Sequence, residues 1–296
     1  MQTIEIGIIG GSGLYEMEGL TGKKEVRLST PFGPPSDALI TGTLSGRRVA
    51  FLARHGRGHR ILPSEINFRA NIWAMKKLGV TRIISVSAVG SMKESIRPGE
   101  VLVPDQFYDH TRRRVSTFFG GGAVAHVSFA DPVCPELRPV LVKAGRAAGA
   151  VVHDGGTYLC MEGPQFSTRG ESLIYRTWGV DVIGMTNVTE AKLAREAEIC
   201  YATLALVTDY DCWHRELESV TVEAVIQILH KNVIVSQKII RAALPEAAVT
   251  RRCSCATALK NAVMTPPALI PKKTRDSLKI ILGDYLNPRP GGRGRK

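Results

Sequence analysis

Along the chain, short runs of β-branched and other apolar residues alternate with longer stretches whose apolar positions recur at helical spacing. The run from Ile4 to Ile9 reads as a strand, as does "RRVAFLARHG" at 47–56, which ends in a glycine turn. "PSEINFRANIWAMKKLG" (63–79) has the spacing of a helix, with Ser64 placed to cap it and Gly79 to stop it. "VTRIISVSAVGS" (80–91) is almost continuously apolar, as in a strand covered on both faces. A helix is expected from Pro135 to Ala148. Strands follow in "VVHDGGTYLCMEG", "VDVIGMT" and "YATLALVTD", with helices "GESLIYRTWG" and "TEAKLAREAEI" between them, and a helix of about 20 residues starts at Val222. This alternation predicts one α/β domain with a central mixed or mainly parallel sheet flanked by helices. No repeat or linker interrupts it before the end, which places the domain at 1–286 and a tail at 287–296.

The first strand runs into "GIIGGSGLYE", and its glycines invite a dinucleotide reading. Counting from Gly11 and Gly13, the third glycine of G-x-G-x-x-G falls on Glu16, whose carboxylate would sit close to the phosphates; a Walker loop fails because no Gly-Lys-Ser/Thr follows. Two readings stay open. The loop is a ligand-free turn, or its backbone N–H groups and the Ser12 hydroxyl hold one small anion.

Composition narrows the class. With 296 residues, 44% of them hydrophobic, the chain can bury a large core. No apolar run approaches the roughly 18 residues of a membrane span, and the N-terminus lacks the pattern of a signal peptide, so a cytoplasmic protein without membrane partners is expected. The six cysteines are read as buried reduced thiols, since none of their spacings makes a zinc set with histidines; only "CSC" at 253–255 places two thiols close enough in sequence to cross-link or respond to redox state. The net charge of +12 is unevenly placed: residues from 231 onward hold 14 Lys/Arg against 3 Asp/Glu, and the rest 25 against 24. The basic excess thus belongs to the C-terminal region ending in "NPRPGGRGRK", whose composition does not fold, and nucleic acid is not expected as a partner of the nearly neutral body.

In a sheet of this kind ligands sit beyond the carboxyl ends of strands. Ser12, Arg54 and His55, Ser87 and Ala88, Met185 and Thr186, and Asp209 and Asp211 all fall there. The first groups offer hydroxyl, guanidinium, imidazole and N–H donors suited to an oxyanion such as phosphate. Asp209 and Asp211, two apart on an expected extended segment, would point to the same side and address one ligand edge. A metal pair or a glycosidase acid/base pair would use the same residues, but no His/Cys cluster or acidic loop accompanies them, and no metal is expected.

"GIIGGSGLYE", "TPFGPPSDAL", "LARHGRGH", "NFRANIWAMKKLGV", "SAVGS", "PDQFYDHT", "MEGPQFSTRGES", "GMTNVTEAKLAREAEICYA" and "TDYDCW", in this order from about residue 3 to 245, resemble the S-methyl-5'-thioadenosine phosphorylases of the purine nucleoside phosphorylase family. The resemblance implies phosphorolysis of a 6-aminopurine nucleoside, with inorganic phosphate as co-substrate, no cofactor and a homotrimeric assembly. It implies that Ser12, Arg54, His55, Ser87, Ala88 and Thr186 bind phosphate. Asp209 would protonate the purine N7, Asp211 accept from the exocyclic amino group, Phe166 stack on the base and Met185 cover the ribose. Ser167 and Val222 match positions associated with substrate choice, and His126 matches a residue that reaches a neighbouring subunit's pocket, with an ordinary loop histidine as the alternative there. Methylthioinosine or general purine nucleoside phosphorolysis is the alternative, then hydrolysis, which needs no anion site. The departures are Gly170, Gly184, Asn187 and the basic stretch after 270, which bears on a lid containing Leu269; the final tail has no counterpart in the family.

Overall fold

The computed structural model describes residues 4–11, 14, 16, 18–214, 222–248 and 250–286. The expected apolar runs become the centre of one mixed sheet. Strands β1 (Ile6–Gly10), β4 (Arg47–Ala53), β5 (Arg82–Ser91) and β11 (Cys200–Asp209) are mutually parallel neighbours in the order β4, β1, β5, β11. On the far side of β4 come β3 (Leu39–Leu44) and β2 (Thr21–Val26), each antiparallel to the strand before it in this order. Beyond β5 and β11 lie β6 (Val101–Val103), β7 (Gln106–His110), β8 (Val152–Asp154), β9 (Thr157–Met161) and β10 (Val182–Gly184), which complete eleven strands among the described residues.

The central strands are apolar on both faces because helices cover both. Ile6, Ile8, Ile84 and Leu204 pack on one side with α2 (Leu137–Ala147) and α5 (Val222–Ala247), through Leu141, Ile239 and Leu244. Ile9, Ile83 and Tyr201 face the other layer, made by α1 (Phe68–Lys77), α4 (Asn187–Glu196) and α6 (Lys272–Leu282), through Ile72, Met75, Leu193 and Ile281. The period-2 alternation along β1, β5 and β11 thus divides two apolar layers rather than core from solvent. Helix α3 (Arg169–Thr177) lies between β9 and β10 in sequence, with Thr168 and Glu171 forming a reciprocal cap.

Two expected helix boundaries move by five residues or more. The helix expected from 63 begins at Phe68, because residues 62–65 close a turn of their own, with Glu65 N–H donating to Leu62 O at 3.0 Å. Its cap is Asn67, not Ser64: Oδ1 accepts from Ala70 N–H at 3.1 Å while Nδ2 donates to Phe32 O at 2.7 Å, so one amide starts the helix and anchors a distant loop. Gly79 follows the helix at φ +92, as expected of a stop. Helix α5 runs for 26 residues, longer than anticipated, and carries Pro245 near its end. Strands β2 and β7 gave no signal because they are mostly exposed and lack apolar alternation. The tail at 287–296 lies outside the described residues, and no helix of the described residues is long and apolar enough to cross a membrane.

Replacing Asn67 with Ala removes both the cap and the tether, and is expected to lower the free energy of unfolding in urea by about 1–2 kcal/mol, whereas Ser64→Ala should leave it within about 0.5 kcal/mol.

Candidate active site

The site begins with a break in strand pairing. Strand β1 runs parallel to β5 only as far as Ile9 opposite Ser85, and β10 runs antiparallel to the same edge with Ile183 opposite Gly90. The two strands therefore approach one another head-on along β5 and both stop short, leaving the edge at residues 86–89 without a neighbouring strand. Into this gap project the ends of β1 and β10 and the start of α4. This is a topological switch point, where backbone groups that a sheet would otherwise consume are left for a ligand.

Arg54, just past β4, spans the floor of the gap and is 3% exposed. Its Nε and Nη2 make a two-point pair with Glu190 of α4 at 2.5 and 3.1 Å, while Nη1 donates to Val86 O at 2.8 Å and Nη2 to Ser85 Oγ at 2.6 Å. Burial works against the charged guanidinium, but Glu190 outweighs it and holds the pKa above the ordinary arginine value. Glu190 also accepts from Ser85 Oγ at 2.9 Å and from Tyr201 Oη at 2.8 Å. Asn187, at the first turn of α4, donates to Thr203 Oγ1 at 2.7 Å and to Ser85 Oγ at 3.2 Å. These bonds of Arg54 use four of its five N–H groups. Most of its donors are therefore spent on shaping the gap, and one Nη1 N–H is left for a ligand.

The other donors surround that floor. His55 is half-buried, with Nδ1 2.8 Å from Ile61 O, and its ring stacks on His59 at 4.3 Å. Burial pushes its pKa down to about 4, with the Arg54 charge adding to the effect. A neutral ring that donates from Nδ1 presents an accepting Nε2, fit to take a hydrogen bond from a protonated phosphate oxygen. Ser87 is buried with Oγ 3.2 Å from Tyr158 Oη, and Ala88 beside it is exposed. Thr186 is the residue before α4, buried, and makes no side-chain cap, so the N-terminus of a ten-residue helix opens into the gap. Its N–H groups and positive dipole end favour an anion. Met185 is fixed through its carbonyl, which accepts from Arg114 Nη1; Arg114 also bonds Glu162 O at 2.7 Å and Glu162 Oε1 at 3.1 Å. Gly184 admits no side chain, since a Cβ there would lie 1.9 Å from Tyr158 Oη.

Asp209 and Asp211 meet, although not as the expected extended pair. The register of β11 against β5 jumps between Val207 and Asp209, a bulge that sets Asp209 opposite Gly90. Asp211 then has φ +52 and opens a single 3-10 turn, Asp211–Trp213. The turn folds its own N–H back onto Asp209 Oδ1 at 2.7 Å, and Thr208 Oγ1 lies 2.7 Å from Oδ2. A Cβ on Gly90 would lie 3.0 Å from Asp209 Oδ1 and 3.3 Å from Asp211 Cβ, so this glycine is the shared wall of both acids. Asp211 accepts from Ser172 Oγ at 2.5 Å; burial pushes its carboxyl up, and the Asp209 charge adds to that. Ser167 is buried with its carbonyl accepting from Cys212 Sγ at 3.2 Å, while Phe166 next to it is 82% exposed.

Arg54, His55, Ser87, Ala88, Met185, Thr186, Asp209 and Asp211 thus flank one stretch of β5, and Ser167 joins them through Cys212. Ser12 lies outside the described residues, and Val222 opens α5 without a described side chain. His126 is exposed on a segment tied by its N–H to Ala262 O, and Leu269 is exposed in the turn before α6. Glu190, Arg114, Ser172 and Tyr158 also hold the site together and are not among the residues expected there. Only Glu190 left a signal: it stands three residues after Asn187 on the face of α4 that turns toward the strand ends.

Residues 5–245 match the model of the Phosphorylase superfamily. An S-methyl-5'-thioadenosine phosphorylase of Koribacter versatilis is 58% identical over 97% of this chain and 99% of its own length, and that of Geobacter sulfurreducens is 59% identical over 95% and 99%. A crystal structure of a methylthioadenosine phosphorylase from an antarctic soil metagenomic library superposes with a TM-score of 0.92, at 51% identity, over 95% of this chain and all of that one. The Schistosoma mansoni methylthioadenosine phosphorylase in complex with adenine superposes at 0.82, with 36% identity over 88% and 99%.

The environment of His55 predicts a titration. Its folded pKa of about 4 lies below the ordinary value of about 6.5, so as pH falls through that window the unfolded chain takes up the proton first and stability declines; above it the contribution is complete. A proton NMR titration of the His55 C2 resonance should show a midpoint near 4, and a midpoint near 6.5 would contradict the buried neutral ring.

Proposed function

Because the chain belongs to the Phosphorylase superfamily, we propose that it cleaves S-methyl-5'-thioadenosine with inorganic phosphate, giving adenine and 5-methylthioribose 1-phosphate. The observation that carries this reading is the gap beside β5, with an anion cradle at one end and two carboxyl groups at the other. Phosphate is placed against the start of α4 and the edge of β5, held by Thr186, by Ser87 and the Ala88 backbone, by the remaining Arg54 N–H and by His55, and the resemblance to the family adds Ser12, which lies outside the described residues. One phosphate oxygen attacks the anomeric carbon from the face opposite the base as the bond to N9 breaks. The electron pair of that bond passes into the purine, and Asp209, reacting in its acid form, gives its proton to N7 and is left as the carboxylate. Asp211 accepts from the 6-amino group. A 6-oxo purine would set two acceptors against each other there, which favours adenine over hypoxanthine. Phe166 supplies an open ring face for the base, and Ser167, Met185 and Val222 bear on ribose and 5'-substituent recognition. Phosphate is a co-substrate in this scheme, and no cofactor takes part.

The assembly proposed is a homotrimer in the cytoplasm. Support comes from an exposed patch of Tyr108, Leu173, Ile174 and Trp178, in which Tyr108 and Trp178 already pack at 5.2 Å, and from exposed Val124 and Met264, joined by the Met264 N–H donating to Val124 O at 2.8 Å beside His126. Contiguous apolar surface of this kind marks a contact with another chain. Light scattering should return three times 32.2 kDa, and a monomer at micromolar concentration would refute the trimer.

Adenine release from methylthioadenosine should require phosphate; equal rates without it would mean hydrolysis. Asp209→Asn should lower kcat on the order of 10²–10⁴-fold with the fold intact. Asp211→Asn should raise turnover of 6-oxo relative to 6-amino nucleosides, and an unchanged ratio would remove Asp211 from base selection.

A further inference from the structure

Four cysteines far apart in the sequence come together away from the residues assigned to catalysis. Cys134 precedes α2, Cys200 opens β11, and Cys253 and Cys255 lie at the short 3-10 turn after α5. Their sulfur atoms all lie within 4.8 Å of one another, with Cys200 and Cys253 at 3.3 Å and Cys134 and Cys253 at 3.7 Å. Cys134, Cys200 and Cys255 are buried and Cys253 is half-buried. Zinc held by four thiolates at about 2.3 Å in tetrahedral geometry has sulfur atoms about 3.8 Å apart, so no pair would need to move by more than about 1 Å to close around an ion.

We propose that these four cysteines form a tetrahedral site for one structural zinc ion. The donor set is the one a soft or borderline ion selects, and with all four positions filled by protein the site is closed, as structural rather than catalytic zinc sites are. The surroundings suit a site that carries net negative charge. Cys134 Sγ accepts the backbone N–H of Leu137 at 3.4 Å, which places it at the positive end of α2, and Arg251 and Arg252 immediately precede Cys253 in the chain. Half-exposed Cys253 offers the ion its way in. On binding, each thiol releases its proton to solvent, and the four S–H groups become four metal-bound thiolates with no change of oxidation state. The ion would fasten the segment after α5, which carries Leu269 and α6, onto the starts of β11 and α2.

Metal analysis of the full chain, purified without chelator, is expected to give about one zinc per chain, released when a mercurial blocks the thiols. Cobalt exchanged into the site should show the thiolate-to-metal charge-transfer band and the intense d–d bands of a tetrahedral sulfur site. Cys253→Ala should lose the metal and lower Tm while retaining phosphorolysis, Cys253→His should keep zinc, and Cys160→Ala, outside the cluster, should keep it as well. If Cys253→Ala does not fold, the cobalt spectrum of the unaltered chain still decides. Wild-type protein that binds neither zinc nor cobalt, or whose four thiols are found as disulfides in cells lysed under thiol-trapping conditions, would overturn the proposal.

Discussion

The buried pairing of Arg54 with Glu190 is the contact on which the rest of the site rests. Removing one partner from such a pair typically costs about 3–5 kcal/mol, because the other is left charged in a low-dielectric interior. The pair joins the end of β4 to α4, and the same two side chains reach Val86 O, Ser85 and Tyr201 on the neighbouring strands β5 and β11. β1 and β10 can stop short of each other only because something else holds the edges of the opening. A hydrophobic substitute could fill the space but could not bond two strands and a helix at once. The same neutralisation means that the pull on an anion comes chiefly from the start of α4 and from backbone N–H groups, whose geometry the ion pair fixes.

A second buried arginine works in the same way on the opposite rim. Arg114 is 1% exposed in its side chain and joins Glu162 to the Met185 carbonyl, so the loop after β9 and the residue covering the proposed ribose position move as one unit. Both cations act by holding backbone carbonyls and carboxylates in place. The acids at the other end need a different device, since two carboxyl groups brought together repel. The bulge at the end of β11 and the left-handed residue at Asp211 give Asp209 the Asp211 N–H and the Thr208 hydroxyl, and Ser172 of α3 gives Asp211 a hydroxyl donor.

The strand ends were legible in the sequence because apolar runs stop at a polar residue, and Arg54, Thr186 and Asp209 stand at such stops, whereas Ser87 and Ala88, expected past a strand end, lie inside β5. What alternation could not reveal was the break in pairing along β5: the run "RIISVSAVGS" is equally apolar on the paired and unpaired stretches of its edge. Asp209 and Asp211 were expected on an extended segment, yet it is a bulge and a positive φ that bring them together, and neither leaves a mark in composition. Arg114 was hidden within "TRRRV", which looks like a solvated charge run, and Ser64 masked Asn67 because both are good caps and only the anchoring of Phe32 decides between them. The cysteines were read by spacing, whereas their meeting depends on the return of the chain after α5.

Gly184 and Tyr158 carry a consequence for how this chain can change over generations. The tyrosine hydroxyl occupies the space a side chain at 184 would need, and from there it reaches Ser87 in the cradle. Enlarging 184 first drives two groups into one volume; shortening 158 first empties a fully buried pocket and takes the tyrosine hydroxyl from Ser87. Either order passes through a damaged intermediate. The two positions are therefore coupled, and a change at either is tolerated only together with a change at the other.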